Sequence, residues 1–71
     1  MEEKILNVLR KVLENENIDT TVSRTNCEKW DSLNHLNIIS ELEDVFGVEF
    51  EPEEMAVIFD YTSIAELLAK K

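Results

Sequence analysis

One glycine, one proline and one cysteine are all that the chain holds of the residues that most often break or staple a fold. A single cysteine forbids an internal disulfide and directs the reading to the cytoplasm. No apolar stretch approaches the roughly 18 residues of a membrane span, and the start of the chain lacks the basic segment and apolar run of a secretory leader. Positive charge is scarce in a patterned way. Residues 1–29 carry six acids and five bases, whereas residues 30–69 carry ten acids and no lysine or arginine. The formal net charge of -9 therefore comes from a one-signed second half, which repels nucleic acid and anionic membrane. The same field attracts proteins with basic patches and makes their encounter sensitive to salt, although an acidic surface also serves solubility alone.

What is present is helical periodicity. Residues 2–14 set Ile5, Val8, Leu9, Val12 and Leu13 on one face and polar residues on the other, which predicts an amphipathic helix. Asn15 to Lys29 has no periodicity, and Ile18 and Val22 are its expected anchors over the core. A second helix is predicted from Ser32 to Phe46, with Leu33, Leu36, Ile39, Leu42 and Phe46 inward, Asn34, Asn37, Glu41 and Asp44 outward, and Gly47 as its stop. Val48 and Phe50 alternate with acids in a linker too short for a sheet. Pro52 suits the first position of a short third helix, with Met55 and Ile58 facing the core and Phe59 as a further candidate. Ser63 and Glu66 have capping-box spacing and open a last helix that buries Ile64, Leu67 and Leu68, with Lys70 and Lys71 at its C-terminal end. The expected fold is all-α, a small bundle of three longer helices and one short third helix in one domain spanning residues 1–71. So small a chain buries only about 60% of its unfolded surface, so no enzyme with its own substrate cavity is expected.

The chemistry concentrates at Trp30-Asp31-Ser32-Leu33. Asp31 is the natural N-cap of the second helix, because its carboxylate accepts from first-turn amides and complements the positive end of the dipole. Ser32 is then free of capping duty, and its hydroxyl points to solvent over backbone donors that favour an attached phosphate. The plain alternative is an ordinary helix start, since these residue types dominate caps everywhere. A hydrolase pair of Ser32 with His35 is disfavoured: Asp31 is placed to cap rather than to orient the histidine, and no glycine-rich turn supplies an oxyanion hole. The acids from Glu41 to Glu54 lack the loop and central glycine of an EF-hand, and Cys27 has no partner, so no metal site is expected. Trp30 is expected to cover the top of the bundle.

Asp-Ser-Leu followed by an amphipathic helix resembles the attachment site of acyl carrier proteins, and the stretch WDSLNHLNIISELEDVFGVEF is similar to that family from the tryptophan onward. Together with element order and acidic balance, the resemblance covers nearly the whole chain. It implies a phosphopantetheine arm on Ser32, with Asp31 assisting, placed there by a phosphopantetheinyl transferase that uses coenzyme A and magnesium. The arm's thiol then holds an acyl chain as a thioester for acyl-loading and acyl-transfer enzymes with basic docking patches. A non-catalytic cytoplasmic monomer is expected, docking through Leu33, Asn37, Glu41 and Asp44. The fatty-acid branch of the family carries acids two and five residues after the serine, where this chain has Asn34 and Asn37. That departure points away from bulk fatty-acid synthesis, towards a polyketide, cell-surface sugar or aminoacyl cargo. The rival from another class is an unmodified acidic helical module that binds a basic protein.

Overall fold

A computed structural model describes residues 1–71 and contains four helices in the order α1 (Glu2–Leu13), α2 (Ser32–Phe46), α3 (Pro52–Val57) and α4 (Tyr61–Ala69). The all-α expectation holds, with one short third helix among three longer ones. Each boundary has a local cause. α1 ends where Glu14 turns left-handed at φ 53° and its amide donates to the Arg10 carbonyl. α2 begins at Asp31, whose extended backbone lets the carboxylate accept from the Asn34 amide at 2.9 Å, and ends at Gly47 with φ 64°. Pro52 opens α3, and the Glu54 carboxylate reaches back to the Glu51 amide at 2.8 Å.

The last helix corrects an expectation. Its capping box joins Asp60 and Ser63 rather than Ser63 and Glu66, so α4 starts two residues ahead of Ser63. Asp60 accepts from the Ser63 amide at 2.7 Å, and the Ser63 hydroxyl accepts from the Phe59 and Asp60 amides at 3.1 and 3.2 Å. The Ser63 side chain is thereby turned back to the residues before the helix and serves inside its first turn rather than as its N-cap.

Sixteen residues, all hydrophobic, form one buried cluster, and no polar side chain is buried. α1 packs against both α2 and α4. Its buried face holds Ile5, Leu6, Val8, Leu9 and Leu13; Leu6 was not expected there, and Val12 is only half-buried. On α2 the inward residues are Ile38, Ile39 and Leu42, with Phe46 half-buried at the end. Leu33 and Leu36 instead lie 68% and 59% exposed, contrary to the expected inward stripe. The stripe that packs runs through His35, Ile38, Ile39, Leu42 and Phe46, so a polar residue occupies the inward place that Leu36 was expected to take. Ile58 is buried and Met55 half-buried, whereas Phe59 is 50% exposed.

The loop before α2 is strapped down rather than loose. Ile18 and Val22 are buried as anchors, and the Ile18 carbonyl accepts from Arg10 Nε at 3.0 Å. An isolated bridge joins Ser23 to Asp60, flanked by Arg24 N donating to the Phe59 carbonyl at 2.7 Å and Tyr61 N donating to the Val22 carbonyl at 3.3 Å. The loop is thereby tied to the corner between α3 and α4. Phe50 and half-buried Val48 turn inward as expected, and Lys71 reaches back to pair with Glu54 at 3.0 Å.

Candidate functional site

Ser32 is the first residue of α2 and is exposed. The first-turn amides of a helix have no partner in the preceding turn, and here the cap satisfies that of Asn34 while His35 N donates to the Asp31 carbonyl at 2.8 Å. The amides of Ser32 and Leu33 stay free beside the hydroxyl. An anion esterified to Ser32 would meet those donors and the positive end of a fifteen-residue helix without displacing any packed side chain, so the position fits a phosphate. Asp31, one residue earlier, is exposed and committed to the cap.

The surroundings of the serine are tied together by hydrogen bonds that the sequence did not reveal. Trp30 is buried, and its indole N–H donates to His35 Nδ1 at 3.0 Å. Because an indole nitrogen only donates, the ring proton of neutral His35 sits on Nε2, which donates to the Met55 carbonyl at 3.0 Å. His35 is thus a bolt between the loop, α2 and α3, half-buried and with both nitrogens engaged. Asn34 also holds the loop: its side-chain amide donates to the Lys29 carbonyl at 2.7 Å and its oxygen accepts from Asn37 at 3.2 Å. Arg24, which no sequence motif singled out, sends a guanidinium nitrogen to within 3.5 Å of Ser32 Oγ.

The four residues expected to face partners divide into two kinds. Leu33, Asn37 and Asp44 are exposed, and with Leu36 and Ser40 they recur at the three- and four-residue spacing of one outer face. Glu41 is half-buried and bound to Lys11 of α1 at 2.8 Å. The hydrogen bond and the attraction of that carboxylate raise the Lys11 ammonium above its ordinary value.

Nothing near the serine resembles a catalytic constellation. The largest groove, about 490 Å³, lies under the loop between Leu13 and Lys29 and does not include Ser32. No three metal-ligating side chains are gathered in one place, and no helix is long and apolar enough to cross a membrane. Among protein-family models, the one described as phosphopantetheine attachment site matches residues 3–70. No curated protein and no solved structure gives a significant match. A family match over nearly the full length agrees with a four-helix chain whose longest helix opens on an exposed Asp-Ser pair, and the chain belongs to the phosphopantetheine-binding family, whose domains are non-catalytic carriers of that covalently attached group.

Proposed function

We propose that Ser32 is the residue that bears the arm, and that the chain is an acyl carrier of a specialised pathway. The observation that carries this is the exposed Ser32 hydroxyl at the first position of α2, beside a capping Asp31 and two free amides. When bound, phosphopantetheine supplies a thiol on a long flexible arm, to which an acyl or aminoacyl cargo is held as a thioester. The chain's own residues do the rest. Asp31 fixes the helix start, the helix dipole favours the phosphate, and the Trp30, His35 and Met55 bolt keeps the attachment point rigid. Tethering raises the local concentration of the cargo for each enzyme that docks.

The partners are a phosphopantetheinyl transferase and the enzymes that load and unload the arm in the cytoplasm, acting on a monomer. Leu33, Leu36, Asn37 and Asp44 give them an apolar contact edged by charge, while Glu41 contributes less because Lys11 already occupies it. Asn34 and Asn37 support a specialised pathway, since basic fatty-acid enzymes meet amides where the fatty-acid branch has acids.

Incubation with coenzyme A, magnesium and a broad-specificity transferase, followed by intact mass, tests the attachment site. One added phosphopantetheinyl group on the wild type and none on Ser32→Ala is expected. An unmodified wild type, under conditions that load a control carrier, would favour the unmodified interaction module instead.

A further inference from the structure

We infer that Arg24 is a clasp for the phosphodiester on Ser32. This rests on Ser32 being the attachment point. Arg24 and Ser32 are brought together by the strap and not by the helix. The Arg24 amide donates to the Phe59 carbonyl at 2.7 Å, which fixes the backbone from which its side chain starts. The turn around it is closed by its neighbours: Asn26 accepts from the Ser23 amide and donates to the Thr21 carbonyl, each at 3.0 Å, and the Ser23 and Thr25 hydroxyls meet at 2.8 Å. The guanidinium then ends 3.5 Å from Ser32 Oγ, a long contact to a neutral hydroxyl.

Acids outnumber bases by 16 to 7, and Arg24, like Lys4, Lys29 and Lys70, belongs to none of the ion pairs of the chain; what sets it apart is its contact with Ser32. A cation that could pair with a carboxylate instead faces the oxygen to which the phosphate becomes attached. Esterification places on Oγ a phosphorus whose two non-bridging oxygens share one negative charge, within the scale of the reach of the guanidinium, and a charge-assisted bond replaces the long neutral one. The free Ser32 and Leu33 amides hold the phosphate from the helix side, and Arg24 holds it from the loop side. The phosphate is then gripped between the start of α2 and the strap.

The test compares wild type, Arg24→Gln and Arg24→Lys before and after loading, with intact mass reporting one phosphopantetheinyl group on each. The Arg24 guanidinium proton and nitrogen resonances should shift on loading and return towards their unloaded positions in about 1 M salt, where the screening length falls to about 3 Å. The phosphorus resonance of loaded Arg24→Gln should differ from that of wild type, with Arg24→Lys between them. Unloaded variants should melt with wild type, because the backbone bond to Phe59 is untouched. Guanidinium resonances that ignore loading, or one phosphorus resonance shared by all three proteins, would overturn the clasp and leave the attachment site standing. Failure of the wild type to gain mass would remove the attachment site itself, and the clasp with it.

Discussion

α1 and α2 are the two longest helices and use their apolar residues in opposite ways. Every leucine and isoleucine of α1 is buried, and its polar residues face water. α2 buries Ile38, Ile39 and Leu42 but leaves Leu33, Leu36 and Val45 exposed, while a histidine sits in its inward stripe. α1 therefore answers only to the core. α2 answers to the core on one side and leaves apolar side chains open to water on the other, which is the face that the proposed docking reading gives to partners.

The sharpest way to break this contrast is to shorten one leucine from each side of α2. Leu42 is fully buried, so Leu42→Ala should cost on the order of 2–5 kcal/mol in denaturant unfolding, whereas Leu36→Ala should stay within about 0.5 kcal/mol. Equal losses would mean that the two faces are wrongly assigned. Next in size is the polar member of the inward stripe. His35→Ala leaves the indole N–H of buried Trp30 without an acceptor, and should cost about 1–3 kcal/mol. Nitrogen spectra of the wild-type imidazole should show the proton on Nε2; a neutral ring protonated on Nδ1 would refute the bolt.

The smallest effect concerns the ion pair that joins the two helices. Glu41 raises the Lys11 ammonium above its ordinary value of 10.5, so the bonded form is favoured in the folded chain. A raised value means that the stabilisation is fully present below pH 10.5 and fades as pH climbs through the higher folded value. The difference in melting midpoint between wild type and Lys11→Met should thus be small and level from neutral pH upward, then shrink above pH 10.5. Salt should shrink it at every pH, because the Lys11 end of the pair is exposed. A gap that widens in strong alkali would contradict this assignment.

Much of the architecture was legible because it obeys local rules. The bounds of α2, the stop at Gly47, the start of α3 at Pro52 and the anchors Ile18 and Val22 all follow from capping chemistry and periodicity within a few residues. What escaped depends on groups that meet only after folding. Periodicity assigned Leu36 inward because it scores apolar residues alone, and it had no means of knowing that His35 would find Trp30 on one side and the Met55 carbonyl on the other. The start of α4 was read from Ser63 and Glu66 alone, whereas Asp60 is the residue that caps it. The Asp31-Ser32 pair was readable as a helix start; Arg24 was not readable as its neighbour, because the strap that delivers it is bonded to a carbonyl in the second half of the chain.

That strap makes one mechanical unit of two places that share no helix. The bond from the Arg24 amide to Phe59 and the bond from Tyr61 to Val22 lie on either side of the bridge at Ser23 and Asp60, so the corner between α3 and α4 cannot slide without carrying the loop or breaking its fastenings. Phe59 is the exposed end of this lever and the guanidinium beside Ser32 is the other. Residues from the two halves of the chain thus share one set of backbone bonds, and the side chain that ends beside Ser32 starts from a backbone fastened at the far corner.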